Sequence, residues 1–314
     1  EDADLIPVEQ VVVSMTHTGY VKRLPVAEYR AQHRGGKGIT GHKPKEEDFV
    51  EKMFVCSSHD DLLLFSTYGK VYRIKAFEIP EAARTARGRA MVNLVQIAQD
   101  EKVTTIIPVP EGAEGYIAFA TKNGLIKKTR LEEFERINRN GKIAIRLNEG
   151  DGLISVQFTT GSNELMIASR AGKCIRFDES NVRSMGRDTA GVRAMKLDGA
   201  DDALVDLLVV DENKDVLTVT ANGFGKRSKL EDYRVQGRAG KGIKAGTFNE
   251  VTGALVNLKQ VTPEEDDIMI ISDGGTIIRM HCSDISKFGR ASRGVRLMRL
   301  KDGIVATVAI TERD

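Results

Sequence analysis

Six stretches of the chain alternate apolar residues with small or polar ones and then run into glycine. They are VVSMTHTG to Gly19, LLLFSTYG to Gly69, IAFATKNG to Gly124, LMIASRAG to Gly172, VLTVTANG to Gly223 and IMIISDGG to Gly275. Alternation of period two that ends in a turn residue predicts a half-buried strand entering a tight hairpin. The Asn-Gly pairs at 123–124 and 222–223, and Gly274-Gly275, suit the positive φ of two-residue hairpin turns. Successive glycines are 50, 55, 48, 51 and 52 residues apart, so the hairpin belongs to a unit that repeats through the chain.

The register holds around each glycine. Three residues before it stands a hydroxyl: Thr16, Ser66, Thr121, Ser169, Thr220 and Ser272. Four after it stands a cation: Arg23, Arg73, Lys128, Arg176, Arg227 and Arg279. Ten after it stands an apolar side chain: Tyr29, Ile79, Phe134, Val182, Tyr233 and Ile285. A second glycine follows at Gly38, Gly88, Gly141, Gly191, Gly242 and Gly294. Segments between the two glycines, such as LEEFERI at 131–137, predict one helical turn each. Runs such as GVRAMKL from Gly191 and GVRLMRL from Gly294 predict a third strand. A closing apolar run predicts a fourth: KMFVC at 52–56, TTIIPV at 104–109, LISVQF at 153–158, LVDLLVV at 204–210, ALVNLKQV at 254–261 and IVATVAI at 304–310.

Four strands in each of six units, with almost no long helical periodicity, predict an all-β radial array: a six-bladed propeller or a relative of it, about four strands per blade. The expected organisation is a linker stub at 1–7 and a single domain at 8–314, with repeats at approximately 8–60, 61–114, 115–161, 162–213, 214–265 and 266–314. The last strand is expected to complete the sheet begun at the N-terminus, which would remove two free edges.

Composition changes this picture little. Lys plus Arg total 47 against 45 Asp plus Glu, a formal charge of +2, so only the placement of cations can argue for a polyanion partner. Three scattered cysteines, Cys56, Cys174 and Cys282, without metal-ligand spacing, predict buried free thiols. No apolar run approaches the ~18 residues of a membrane span, and the N-terminus does not read as a signal peptide, so a soluble cytoplasmic chain is expected.

Placement is informative. The cation four residues after each glycine occurs in six copies of six, although Lys plus Arg are only about one residue in seven. It suits either a phosphate contact or a pairing inside the repeat array. Lys22, Lys127 and Lys226 double that charge in the first, third and fifth hairpins. A second cluster precedes the second glycine. In the first copy it reads QHRGGKG, Gln32, His33, Arg34, Gly35, Gly36, Lys37 and Gly38, and it has an echo in QGRAGKG at 236–242. Glycines between cations let backbone N–H groups and basic side chains face one polyanion. The third place of this heptad holds Arg34, Arg84, Arg187, Arg238 and Arg290, with Ile137 in the shortened third copy; the sixth holds Lys37, Arg87, Lys241 and Arg293, against Asn140 and Ala190. Such a stepped series suits the spaced phosphates of a duplex and reads backbone rather than sequence.

Other chemistry is excluded. GKGITG at 36–41 has the form of a dinucleotide fingerprint but lacks the strand–turn–helix around it, and Lys37 is followed by glycine rather than by the Ser or Thr of a phosphate-binding loop. The five histidines share no ligand spacing, and no acid or histidine recurs at one place in every repeat. Neither catalysis nor a metal is expected.

The heptad resembles the box motif QRRGGKG of the C-terminal domain of DNA gyrase A, and six repeats of about fifty residues cover the chain as they do in that family. His33 stands where the family usually has arginine, which removes a permanent charge. The resemblance implies a six-bladed β-pinwheel in which each unit lends a strand hairpin to its neighbour. It implies a basic rim that wraps duplex DNA non-specifically with positive handedness, so that gyrase can introduce negative supercoils. It further implies a non-catalytic domain without cofactors of its own, ATP and Mg2+ being used elsewhere in an A2B2 enzyme. Its partners would be DNA, the N-terminal part of gyrase A and the gyrase B protein, and the isolated domain would be a monomer. The alternatives are the corresponding domain of topoisomerase IV, which degrades or loses the box, and a protein-interaction propeller, which would lack recurrent rim cations.

Overall fold

In a computed structural model, residues 2–29, 48, 50–83, 85–274 and 276–313 are described. The heptad at 32–38, Arg84 and the turn glycine Gly275 lie outside the described residues. The described chain is all-β, with six small sheets in the six blades that the period predicts. It forms two compact units: Glu1–Ala113 with Phe134–Ala144 and Asp314, and Glu114–Glu133 with Ile145–Arg313.

The first unit holds two blades. Blade 1 orders its strands as Val50–Ser57, Gln10–Thr16, Tyr20–Pro25 and Arg89–Ala90; blade 2 as Val103–Val109, Asp61–Ser66, Lys70–Lys75 and Lys142–Ile143. The second unit holds four. Blade 3 runs Leu153–Thr159, Tyr116–Thr121, Leu125–Arg130 and Val192–Arg193; blade 4 runs Leu204–Val209, Glu164–Ser169 and Lys173–Asp178, with Val235–Gln236 and Ile243–Lys244 on its outer edge. Blade 5 runs Leu255–Val261, Asp215–Thr220, Phe224–Ser228 and Val295–Arg296, and blade 6 has Val305–Glu312, Asp266–Ser272 and Ile277–His281 among the described residues.

Blades 1 to 5 therefore share one plan: closing strand, first hairpin strand, second hairpin strand, and a two-residue strand lent by the following repeat. The loan is smaller than the hairpin exchange that the resemblance implies, and the run expected as a third strand of its own blade is instead the edge of the blade before. The expectation for the last strand also fails. Val305–Glu312 pairs with Asp266–Ser272 of its own repeat, and Gln10–Thr16 pairs with Val50–Ser57, because each closing strand is one connection away from its own hairpin.

The turns differ from the two-residue type. In blades 1 to 5 three residues separate the hairpin strands, and the glycine N–H donates to the carbonyl of the hydroxyl residue, as from Gly19 to Thr16 (3.0 Å) and from Gly172 to Ser169 (2.9 Å). The glycine then takes a left-handed φ, 95° at Gly124 and 93° at Gly172. The recurring hydroxyl has a function here: its oxygen accepts the N–H that follows the glycine, from Tyr20 to Thr16 (3.1 Å), Leu125 to Thr121 (3.2 Å) and Phe224 to Thr220 (3.1 Å). The closing strand slips register opposite this residue in all six blades, which adds local twist.

The first hairpin strands are buried on both faces, not on one. Leu165 and Ile167 enter a core with Ala118, Ile126 and Val182, whereas the alternating Met166 and Ala168 enter another with Val216, Leu230 and Tyr233. Small residues at alternate positions thus reflect close approach to the next blade rather than exposure to solvent. Helical turns fall where expected, as 3-10 helices such as Leu131–Phe134 and Leu230–Asp232.

Candidate nucleic-acid interface

The cations four residues after the turn glycines point into the repeat array. Arg23 donates through Nε to the carbonyl of Ile79 (2.6 Å), Arg73 through Nη1 to Phe134 (2.6 Å), Arg176 through Nη1 to Tyr233 (3.1 Å) and Arg227 through Nε to Ile285 (2.8 Å). Each acceptor is the recurring apolar residue of the next repeat, so two of the sequence regularities are two ends of one hydrogen bond. An acid at the start of the same hairpin completes the clasp: Asp61 on Arg73 (2.6 Å), Glu164 on Arg176 (2.6 Å), Asp215 on Arg227 (2.7 Å) and Asp267 on Arg279 (2.9 Å). Lys128 is buried and donates to the carbonyl of Glu179 (3.1 Å) and to its carboxylate (3.4 Å). Of the two roles that the sequence leaves open for these six cations, their contacts supply the pairing inside the array.

The doubled charges serve the loops before the second glycine. The Lys22 ammonium donates to the carbonyls of Ala83 (3.1 Å) and Ala86 (2.9 Å), that of Lys127 to Thr189 (3.2 Å) and Arg187, and that of Lys226 to Gly289 (3.2 Å), Arg290 and Ser292. Lys127 and Lys226 are 0% and 1% exposed. Burial pulls both ammonium groups down to about 8 from 10.5, with Arg290 adding to the effect at Lys226. The folded chain therefore releases these protons at lower pH than the unfolded chain does. Their titration contributes stability fully above 10.5 and loses it as the pH falls through about 8. In urea unfolding, wild type is expected to gain on a Lys226→Met variant by about 1.4 kcal/mol per pH unit across that window. A difference that stays flat from pH 8 to pH 10 would refute it.

The heptad places divide. At the third place, Arg238 donates through Nε to the carbonyl of Asn181 (3.1 Å) and through Nη1 to that of Arg193, and Arg290 donates in the same way to Asp232 (3.0 Å) and Lys244. Arg187 is half-buried, and its own carbonyl takes the Lys127 ammonium. At the sixth place Arg87, Lys241 and Arg293 are exposed. Arg87 lies over the Tyr20 ring (3.7 Å) and Arg293 over Phe224 (5.6 Å), which orients each guanidinium from its flank. The seven heptad residues of the first repeat, and Arg84, are not among the described residues.

Sequence reasoning missed a further series. Arg193, Lys244 and Arg296 stand two residues after the second glycine in the fourth, fifth and sixth repeats, each on a lent strand at the outer edge of a blade, and all are exposed. The signal was present at that offset in three repeats, but the first three carry Thr40, Ala90 and Ile143 there. Among the described residues, the sixth-place cations and the lent-strand cations are exposed, whereas Lys22, Lys127, Lys226, Arg238 and Arg290 are hydrogen-bonded to a neighbouring repeat and Arg279 to Asp267 of its own. The three cysteines are buried and free as expected, and burial raises each thiol to about 12. Among the described residues no cluster of three His, Cys, Asp or Glu side chains could hold a metal, and no helix is long and apolar enough to cross a membrane.

Comparison with known proteins finds the same sixfold repeat. The sequence model of a family described as "DNA gyrase C-terminal domain, beta-propeller" matches six times, at residues 10–57, 60–110, 115–160, 163–211, 214–262 and 266–311. The A subunit of DNA gyrase from Staphylococcus epidermidis is 45% identical over 319 residues, and that from Staphylococcus aureus 45% over 318. In both cases the match takes in all of this chain but 36% of the relative, so the chain spans about a third of the length of these proteins. Among solved structures, the C-terminal domain of DNA topoisomerase IV superposes with a TM-score of 0.83 at 27% identity, covering 98% of this chain and 94% of that one. A DNA gyrase A C-terminal domain gives 0.73 at 26% identity, covering 96% and 99%.

Proposed function

Since the chain belongs to the DNA gyrase C-terminal domain family, we propose that it binds duplex DNA without sequence preference along its exposed outer-edge cations and wraps it with positive handedness. The observation that carries the reading is the recurrence of exposed cations at one structural position in consecutive repeats, Arg193, Lys244 and Arg296. Smoothly bending 20–30 bp of DNA costs about 1–6 kcal/mol, so a wrapping surface needs many modest contacts spread along an arc rather than one tight site. Each neutralised phosphate contributes about −0.9 to the slope of log affinity on log salt, and cations stepped from repeat to repeat supply contacts of that kind.

In this reading the chain cuts no DNA and uses no cofactor. It acts as one part of an ATP-dependent type IIA topoisomerase, beside the N-terminal part of gyrase A and the gyrase B protein in an A2B2 assembly on the bacterial nucleoid, and it presents a DNA segment for the strand passage that introduces negative supercoils. ATP and Mg2+ serve those other parts. A topoisomerase IV domain is the second reading, favoured by the TM-score of 0.83; the 45% identity to gyrase A and the Arg-Gly-Gly-Lys-Gly core at 34–38 favour gyrase.

Ligation of a nicked circle in the presence of the chain, followed by removal of protein, tests the proposal. A protein-dependent positive shift in linking number is expected. Salt-sensitive binding with no shift would overturn the wrapping and leave the second reading.

A further inference from the structure

We infer that Arg238 and Arg290 are positioning residues, which fix the backbone beneath the DNA-facing cations of the preceding repeat and do not themselves neutralise phosphate. The inference rests on the DNA-binding reading above and assigns a different task to two residues that their sequence places among the DNA-binding candidates.

The geometry is the same at both sites. Nη1 of Arg238 reaches the carbonyl of Arg193 and Nη1 of Arg290 reaches that of Lys244, and these are the lent-strand residues whose side chains are exposed. Nε of each arginine meanwhile holds a carbonyl in the loop after the preceding hairpin, Asn181 (3.1 Å) or Asp232 (3.0 Å). One planar guanidinium thus spans two backbone segments through two donors held at a fixed separation, whereas a lysine would have to reach both carbonyls from a single nitrogen. Around Arg238 the backbone continues the seam: Ala239 N–H donates to the carbonyl of Ala194 (2.8 Å) and Lys196 N–H to that of Gly240 (2.9 Å). Ala239 holds φ 76°, the left-handed region that alanine rarely adopts, so the loop tolerates an unfavourable backbone to keep this contact. Lent strands of two residues, Val192–Arg193 and Ile243–Lys244, have few ladder hydrogen bonds of their own. The staple supplies what the ladder lacks. Wrapping depends on where successive cations stand relative to one another, whereas the number of phosphates neutralised depends only on how many cations reach them.

The two roles separate under a substitution that keeps charge. Arg238→Lys with Arg290→Lys is expected to retain the wild-type salt slope of DNA binding while the linking-number shift per bound chain falls at least twofold. Arg193→Ala with Lys244→Ala is expected to reduce the slope by about two, at about −0.9 for each phosphate. Amide hydrogen exchange on Arg238→Lys alone guards against general unfolding: protection should fall at Lys196 and its neighbours and hold in the other blades. A wild-type linking-number shift in the double lysine variant would overturn the inference. So would a slope reduced by about two in Arg238→Ala with Arg290→Ala, which would make both residues phosphate ligands. If wild type itself shows no salt-dependent binding, the DNA-binding reading falls and the inference with it; binding that survives with wrapping unchanged sinks the inference alone.

Discussion

Replacing Glu179 alone with leucine is expected to destabilise the chain by about 3–5 kcal/mol, because it leaves a buried ammonium without its counter-charge. Glu179 is 0% exposed and accepts hydrogen bonds from Thr159 Oγ1 (2.9 Å), the Asn163 N–H (2.8 Å) and Lys128 Nζ (3.4 Å). Lys128 is 6% exposed, and its ammonium also lies over the Tyr116 ring (4.5 Å). Adding Lys128→Met should recover the part of the loss that comes from the unpaired charge, since apolar residues of similar volume often replace a buried ion pair at little cost. The unpaired Asn163 N–H and Thr159 hydroxyl would still cost about 1–3 kcal/mol each. Denaturant unfolding of the four proteins gives the coupling directly, and additive losses would refute it. The double variant should also keep the wild-type salt slope for DNA, which distinguishes a cation in a joint from one on the binding surface.

The second large effect belongs to the second glycine of the repeat. Gly191 has φ +97°, and a Cβ there would stand 2.5 Å from the Ile126 carbonyl oxygen and 3.1 Å from Lys127 Cβ. The same approach recurs at Gly88 on Val21, Gly242 on Cys174 and Gly294 on Gly225. Gly191→Ala combines a left-handed alanine, about 1–2 kcal/mol, with a clash against backbone that cannot rotate away, and the sum should reach about 3 kcal/mol or more. Gly150 is the control. It has φ +78° with nothing within 4 Å of its Cβ position, so alanine there should cost only the conformational part. Equal losses at the two positions, measured by denaturant unfolding, would show that close approach to the preceding hairpin contributes nothing.

Much of this architecture could be read from the chain because each repeat imposes the same local chemistry. The turn glycine, the hydroxyl three residues before it and the closing apolar run are each explained by a contact within a single blade, and such contacts leave a regular imprint. The lent strands left almost none. Two residues such as Val192–Arg193 are too short to show a period, and their partner lies in another repeat. The cations show the limit of reading a site from charge. A basic side chain satisfies a phosphate and a carbonyl equally well, so charge alone could not separate Arg227, paired with Asp215 and Ile285, from Arg296, which is exposed on an edge strand. Partner acids could have helped, but Val11 and Tyr116 break their series in the first and third repeats.

The loan of an edge strand also sets an order of events on the ribosome. Blade 3 is completed by Val192–Arg193, which is synthesised only after the whole of the next hairpin, Glu164–Ser169 and Lys173–Asp178. A nascent chain that has just made a hairpin must therefore carry an open sheet edge, with unpaired N–H and C=O groups, until most of another repeat has emerged. Excising one repeat from the gene would remove the three strands of its own blade together with the outer edge of the blade before it, so the number of repeats can change only by cuts that rejoin equivalent seams.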